Sequence, residues 1–310
     1  MNREAVKIVE VGPRDGLQNE KETLSVSDRV EFIRRLIQAG NLWLEGGSFV
    51  SPKAIPQMIE SEKVFEVLKA ELNDRLLDLS FLVANEKGLE RAQAAGVSSI
   101  AIFSATSNSF TQKNIQRTVN ESLQDFSNIA KRALALKMKV RGYVSTAFGC
   151  PFEGRQDPEE VLRIAGTLFD VGCFEVSIGD TIGVAHPRQI RDIFSKLKTS
   201  FGLKQIAAHL HDTRGAALLN IREALDVGVR IFDSSAGGLG GCPYAPGSSG
   251  NVASEEVVWF LEAAGFTTGV NLEKLLDASQ WMEGRLGRPL RSKLYQSRKK
   301  PYYFDEERKA

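Results

Sequence analysis

The chain has 310 residues, of which 42% are hydrophobic and 25% charged, as is typical of a folded globular protein. Its formal net charge of +1 indicates neither a nucleic-acid-binding surface nor attraction to an anionic membrane. It contains no apolar run of the roughly 18 residues that cross a bilayer and no signal-peptide core, and its three cysteines are far apart, so we expect a cytoplasmic protein without disulfides.

Short apolar segments alternate with longer amphipathic segments along the whole chain. A first strand is predicted over residues 6–12, followed by a helix over 25–40 that Ser27 is expected to cap and Gly40 to end. The remaining predicted strands are 41–49, 75–84, 99–105, 138–148, 173–181, 205–213 and 229–238. Helix, glycine and strand recur in that order, which is typical of a parallel sheet.

About eight such units are present, the number that closes a (β/α)₈ TIM barrel. A doubly wound open sheet is the alternative, but no glycine-rich dinucleotide fingerprint follows the first strand. Extra helices are predicted after residue 250. We therefore predict a barrel domain over residues 1–290 and a charged, aromatic tail over residues 291–310. Because barrels with exposed outer helices often dimerise, a homodimer is an alternative to a monomer.

Ionisable side chains concentrate at the predicted carboxyl ends of the strands, where barrel enzymes place their chemistry. Arg14 and Asp15 follow the first strand, Glu45 lies within the second, and Asp180 ends the sixth. Structural roles are open for three of them. Arg14 could form a surface ion pair, Glu45 a buried one, and Asp180 could cap a helix.

His209 and His211 form the motif HLH at the end of the seventh strand. Side chains at positions i and i+2 of a strand point to the same face, so both imidazoles can reach one ion. Two histidines satisfied by backbone carbonyls are the alternative, but Asp15 at another strand end favours a metal site. Nitrogen and oxygen ligands suit Mg²⁺ or Mn²⁺, with Zn²⁺ as a further candidate.

The glycine-rich segment 237–251 can approach a ligand closely and can act as a lid. Cys242 lies at its centre, and a flexible loop with an incidental thiol is the alternative interpretation. Asn251 follows just before a helix, where its amide could cap that helix or bind the metal.

With these residues assembled, the chain resembles the 3-hydroxy-3-methylglutaryl-CoA lyase family of metallolyase TIM barrels, a group that also contains acyl-CoA-condensing synthases. The similarity extends from about residue 5 to residue 290. It is carried, in the same order, by VKIVEVGPRDGLQNE, SFVSPKAIPQM, RGYVS, GCPFEG, SIGDTIG, HLHDT and GGLGGCPYAPGSSGN. The resemblance implies cleavage of 3-hydroxy-3-methylglutaryl-CoA to acetoacetate and acetyl-CoA.

The resemblance also implies a divalent cation held by Asp15, His209, His211 and Asn251. Arg14 would stabilise the enolate oxygen that forms as the carbon–carbon bond breaks. His209 is the expected base for the substrate hydroxyl if its other ring nitrogen is free to exchange protons, and Asp15 is the second candidate.

Supporting roles are implied for further residues of the same motifs. Glu45 and Asp180 would assist the acid–base chemistry, and Cys242 would take part in proton transfer and close over the substrate. The contacts to the acyl-CoA partner would come from Gln18, Lys21 and Asn114.

One position departs from the expected family pattern. Gly46 and Gly47 follow Glu45 where two threonines are expected, which predicts more room beside the acid and a larger 3-hydroxyacyl group as an alternative substrate. Two rival hypotheses are a synthase that condenses acetyl-CoA with a 2-oxoacid and a non-catalytic scaffold. The cysteine-bearing loop and the short chain favour a lyase.

Overall fold

Eight parallel strands form the frame of the molecule. The computed structural model describes residues 3–72, 77–242 and 245–298, with the backbone alone for residues 71–72, 242 and 245–249. Within these ranges the strands close into one barrel in chain order. They are β1 Lys7–Glu10, β2 Trp43–Ser48, β3 Asp78–Leu82, β4 Ser99–Ala105, β5 Lys139–Ser145, β6 Glu175–Asp180, β7 Ile206–Leu210 and β8 Ile231–Ser234. The predicted (β/α)₈ barrel is confirmed, and each strand lies inside its predicted range.

Helices surround the barrel. Those that follow the first seven strands are α1 Val26–Gln38, α2 Ser61–Leu72, α3 Glu86–Ala95, α4 Asn108–Ile115, α5 Val119–Ala135, α6 Pro158–Asp170, α7 Pro187–Phe201 and α8 Ala217–Val227, with α4 and α5 both after β4. The chain continues through the antiparallel pair β9 Gly241–Cys242 and β10 Ala245–Ser249 to α9 Ser254–Ala263, α10 Leu272–Leu286 and α11 Lys293–Arg298. No helix in the described part of the chain is long and apolar enough to cross a membrane.

The first helix is capped by a different serine from the predicted one. The Asp28 backbone N–H donates to Ser25 Oγ at 3.1 Å, so Ser25 is the N-cap and Ser27 lies in the first helical turn. The prediction of Ser27 was wrong because the helix begins at Val26, earlier than its apolar stripe indicates. Glycine ends another helix as predicted. Gly96 follows α3 in a left-handed conformation (φ +81°), which is typical of a helix–strand junction.

The hydrophobic core lies between the strands and the surrounding helices, where Phe32, Phe126 and Phe194 are buried. The inside of the barrel contains an ionic layer as well as apolar side chains. This interior charge layer consists of Lys7, Arg141, Glu175 and Asp233. Its pairs join β5 to β8 and β1 to β6, so they cross the barrel.

The C-terminal segment packs on the loop that follows β8. Gly237 O accepts hydrogen bonds from the backbone of Arg291 and Ser292, both at 3.0 Å. Tyr295 on α11 is buried. Residues 291–298 are therefore fixed to the barrel, and the proposed domain boundary at residue 290 stays a prediction. The rest of the predicted tail, residues 299–310, lies outside the described residues.

Candidate metal centre and active site

The segment after β1 is a π-helical turn, Gly12–Gly16, which holds Arg14 and Asp15 at the mouth of the barrel. The buried Glu10 carboxylate fastens it by accepting from Gly12 N at 2.8 Å, Ala236 N at 3.0 Å and Ser254 Oγ at 2.6 Å. Burial outweighs these bonds and raises the pKa of Glu10 to about 7.

Gly16 allows this turn to pack closely against the loop after β8. A Cβ atom at Gly16 would lie 2.7 Å from Ser235 Oγ and 2.9 Å from Leu239 Cβ. These distances are shorter than van der Waals contact, so a larger residue would displace the turn and with it the neighbouring Asp15.

Asp15, His209 and His211 form the one cluster in the described residues with metal-ligand geometry, and all three are buried. Asp15 Oδ2 lies 3.9 Å from the Nε2 atom of each histidine, and the two Nε2 atoms are 3.2 Å apart. Asn251 Nδ2 donates to Asp15 Oδ2 at 2.8 Å, which places its amide beside the cluster. The structure thus brings together all four predicted ligands.

The donor set fits a divalent cation. Two ligands at right angles around an ion at about 2.1 Å are about 3 Å apart, close to the separation of the two Nε2 atoms. Two imidazoles, a carboxylate and an amide oxygen are also a mixed nitrogen and oxygen set of the kind that Mg²⁺, Mn²⁺ and Zn²⁺ accept.

The protonation states of Asp15 and His211 favour cation binding. Burial works against the Asp15 carboxylate, but Arg14 and the histidines outweigh it and lower the pKa of Asp15 to about 2. Burial, together with the charge of His209, lowers the pKa of His211 to about 3. At neutral pH, Asp15 is therefore ionised and His211 is neutral, as metal ligands must be.

Arg14 lies between the metal cluster and Glu45. Its Nη1 donates to Asp15 Oδ1 at 2.5 Å, and its Nε donates to Glu45 Oε2 at 2.6 Å. Burial opposes the charge of Arg14, but Glu45 and Asp15 together raise its pKa. Arg14 therefore carries a fixed positive charge beside the Asp15, His209 and His211 cluster. Glu45 forms a buried ion pair with Arg14, which is the structural role that the sequence left open for it.

Three further residues, for which the sequence predicted no role, form hydrogen bonds to Glu45 and His209 or to each other. Tyr143 OH donates to the other Glu45 oxygen, Oε1, at 2.8 Å, and Asp233 Oδ2 lies 3.2 Å from His209 Nδ1. Arg141 contacts both Tyr143 and Asp233. The signal was present in the sequence, because Arg141 and Tyr143 are spaced i, i+2 in a strand and so face the same side.

Asp180 is directed at its own loop. It lies at the end of β6, fully buried, and its two carboxyl oxygens accept from Val184 N and Ala185 N, both at 2.9 Å. Burial outweighs these bonds and raises the pKa of Asp180 to about 6. These contacts favour a role in holding the β6–α7 loop. They do not make Asp180 the cap of α7, since that position is occupied by His186.

The predicted acyl-CoA contacts fall at two separate places. Gln18 Nε2 donates to Asp15 Oδ1 at 2.9 Å, so Gln18 orients the Asp15 carboxylate. Lys21 is exposed just beyond the turn, and Asn114 lies near the end of α4, where its amide donates to Phe110 O at 2.8 Å. Cys242 ends β9, and its side chain lies outside the described residues.

The two glycines after Glu45 do not open space beside it. A Cβ atom at Gly46 would lie 2.9 Å from both Leu79 Cδ1 and Phe81 Cζ. At Gly47 it would lie 2.7 Å from Ser61 Oγ and 2.9 Å from an Arg29 guanidinium nitrogen. The expectation of a roomier site was wrong, because these neighbours already occupy the volume that larger side chains would take.

The HMGL-like family model matches residues 5–282 of this chain. The chain belongs to the HMGL-like family. A curated relative, the mitochondrial hydroxymethylglutaryl-CoA lyase of Pongo abelii, is 47% identical over 292 residues, which cover 94% of this chain and 89% of the relative. The predicted membership of this family, and the prediction of an enzyme of the hydroxymethylglutaryl-CoA lyase type, are both confirmed.

Solved structures of HMGL-like proteins share the fold over nearly the whole chain. The hydroxymethylglutaryl-CoA lyase of Bacillus subtilis superposes with a TM-score of 0.92 at 42% identity, covering 97% of this chain and 100% of that one. The lyase of Acinetobacter baumannii, in complex with coenzyme A and 3-methylmalate, gives a TM-score of 0.90 at 34% identity, with 97% and 96% covered.

Proposed function

We propose that this chain cleaves 3-hydroxy-3-methylglutaryl-CoA to acetoacetate and acetyl-CoA in a retro-aldol reaction that requires a divalent cation. One observation carries the proposal: the buried guanidinium of Arg14 lies directly against the Asp15, His209 and His211 cluster. Membership of the HMGL-like family and the coenzyme A complex of the Acinetobacter baumannii relative support an acyl-CoA substrate.

Asp15, His209, His211 and Asn251 would hold the cation, Mg²⁺ or Mn²⁺ with Zn²⁺ as the alternative. When bound, such an ion polarises oxygen atoms and lowers the pKa of a hydroxyl group that it contacts. The side chains around the cluster then divide the remaining work into proton removal, stabilisation of the enolate and proton return.

Asp15 is the better candidate for the base. The assignment to His209 required a free second ring nitrogen, and His209 Nδ1 lies 3.2 Å from Asp233 Oδ2. Asp15 is ionised at neutral pH, since its pKa is lowered to about 2. We assign removal of the 3-hydroxyl proton to an Asp15 carboxylate oxygen.

Arg14 would hold the enolate oxygen of the leaving acetyl-CoA fragment. Its guanidinium is fixed on two sides by Glu45 and Asp15, so little reorganisation is needed as negative charge develops. Preorganised donors of this kind typically contribute a factor of about 10²–10³ to turnover. Cys242 on the glycine-rich loop is our candidate for returning a proton to the enolate carbon.

The experiment is release of acetyl-CoA from 3-hydroxy-3-methylglutaryl-CoA, measured after EDTA treatment and after adding Mn²⁺ or Mg²⁺ back. Arg14→Ala and His209→Ala should each lower kcat by at least about 100-fold. The control is Arg117→Ala, at an exposed arginine paired with Asp125, which should keep wild-type turnover. Circular dichroism checks that each variant is folded.

Near-normal kcat in a folded Arg14 or His209 variant, or turnover that does not depend on the cation, would contradict this mechanism. The same preparations are tested for condensation of acetyl-CoA with 2-oxoacids. Condensation without cleavage would favour a synthase instead. A panel of 3-hydroxyacyl-CoA thioesters tests whether a larger substrate is preferred.

A further inference from the structure

We propose that Arg141, whose guanidinium bonds Glu175, Tyr143 and Asp233 rather than any predicted cation ligand, is the positioning residue for both Arg14 and His209. Two chains of hydrogen bonds start from its guanidinium and reach the site at different points. The inference rests on the proposed function for its catalytic readout, whereas its binding readout does not depend on any reaction.

The first chain, the arginine arm, consists of Arg141, Tyr143, Glu45 and Arg14. Arg141 Nη1 donates to the Tyr143 hydroxyl, which donates to Glu45 Oε1 at 2.8 Å. Glu45 Oε2 then accepts from Arg14 Nε at 2.6 Å. Because the two oxygens of Glu45 serve different partners, the hydroxyl of Tyr143 fixes the rotation of the carboxylate and, through it, the plane of the Arg14 guanidinium.

The second chain, the histidine arm, consists of Arg141, Asp233 and His209. Arg141 Nη2 and Nη1 donate to Asp233 Oδ1 and Oδ2 at 2.7 and 3.2 Å. Asp233 Oδ2 faces His209 Nδ1 at 3.2 Å. A carboxylate on the distal nitrogen of a metal-binding histidine sets its ring orientation and directs the other nitrogen toward the ion.

The barrel register places these groups. Arg141 pairs with Glu175 across β5 and β6, and His209 pairs with Asp233 across β7 and β8. Arg141, Glu175 and Asp233 are each no more than 3% exposed, so water does not substitute for their contacts. The two Nη atoms of Arg141 donate to the first residues of the two arms, and its Nε donates to Glu175 Oε1 at 2.7 Å.

A lysine at this position could not serve both arms. The guanidinium donates in three directions from one rigid plane, whereas a lysine ammonium is a compact group on a flexible stem and does not match this planar arrangement of partners. Arg141→Lys keeps the charge of the interior layer but should weaken the hydrogen bonds to both Tyr143 and Asp233. If this one conservative substitution impairs both the orientation of Arg14 and that of His209, the two arms depend on the same residue.

The test separates the two arms by two readouts. Mn²⁺ affinity, measured by calorimetry without substrate, reports the histidine arm, and kcat reports the arginine arm. Asp233→Asn should raise the Kd for Mn²⁺ by about 10–100-fold. Tyr143→Phe should lower kcat by about 10-fold, with the Kd for Mn²⁺ and KM within about 3-fold of wild type. Arg141→Lys should change both quantities.

Two controls distinguish positioning from general disorder of the core. Ser104→Ala removes a buried hydroxyl on neighbouring β4 that bonds Ser122 at 2.9 Å, and should change neither readout. Glu175→Gln neutralises a carboxylate on the same guanidinium but lies on neither arm, and should also leave both within about 3-fold.

Equal loss of Mn²⁺ affinity in Glu175→Gln and Asp233→Asn would overturn the proposal, as would unchanged Mn²⁺ affinity in Asp233→Asn or unchanged kcat in Tyr143→Phe. If the wild-type chain bound Mn²⁺ but did not cleave the thioester, the proposed function would fail, while the Mn²⁺ series would still decide the histidine arm.

Discussion

The buried carboxylate of Glu255 makes the stability of the chain depend on pH. Glu255 lies in the first turn of α9 and is fully buried; its oxygens accept from Gly237 N at 2.8 and 3.0 Å, and Ser279 Oγ also donates to it. Burial, with the neighbouring charge of Glu256, raises the pKa of Glu255 from 4.5 to about 8. The native chain therefore binds this proton more tightly than the unfolded chain.

The sign and size of the effect follow from that difference. A group whose pKa is raised by folding stabilises the folded state. This contribution is fully present below the pKa of the group in the unfolded chain, and it is lost as the pH rises through its pKa in the folded chain. Between these two pKa values, each increase of one pH unit lowers the free energy of unfolding by about 1.4 kcal/mol. From about pH 5.5 to pH 8, ionisation of Glu255 should therefore lower the stability by about 3 kcal/mol.

Glu255→Gln removes this titration. Urea unfolding at several pH values should show that the variant loses about 3 kcal/mol less stability than wild type over that pH range. Glu273→Gln, at an exposed glutamate of α10, is the control and should follow the wild-type pH profile. Parallel profiles for wild type and Glu255→Gln would refute the reasoning, whatever the absolute stability of the variant.

Two further predictions concern local structure, one on packing and one on helix capping. Gly46→Ala places a methyl group against Leu79 and Phe81 and should cost about 1–3 kcal/mol of unfolding free energy; an unchanged denaturation midpoint would show that the two side chains yield freely. Ser25→Ala should cost about 1 kcal/mol by removing the cap of α1, while Ser27→Ala should cost much less; equal losses would contradict the assignment of the cap.

The barrel and the ligand cluster could be predicted because both depend on short periodicities. Alternation of strand and helix patterns gives the eight units, and the i, i+2 spacing of His209 and His211 places two imidazoles on one face. Their meeting with Asp15 follows from the rule that barrel strands present their carboxyl ends at one mouth. None of this requires knowledge of side-chain packing.

Contacts across the barrel could not be predicted in this way. Arg141 reaches Asp233 over a separation of 92 residues, and nothing local to either residue indicates the other. The space beside Gly46 was misjudged for the same reason, since Leu79 and Phe81 belong to another strand. The cap at Ser25 was missed because helix ends are set by backbone geometry that extends beyond the apolar stripe.

The ion pairs described above fix the electrostatic balance of the site. The interior charge layer contains two cationic and two anionic groups, so it is neutral as a whole. Toward the mouth of the barrel, the single positive charge of Arg14 is paired with two carboxylates, Asp15 and Glu45. This group therefore has one net negative charge. A divalent cation at the candidate metal centre would change this to one net positive charge among buried side chains, where Coulomb interactions are strong. An anionic substrate would then be attracted more strongly to the cation-loaded site, so the proposed function predicts that cation binding precedes productive substrate binding.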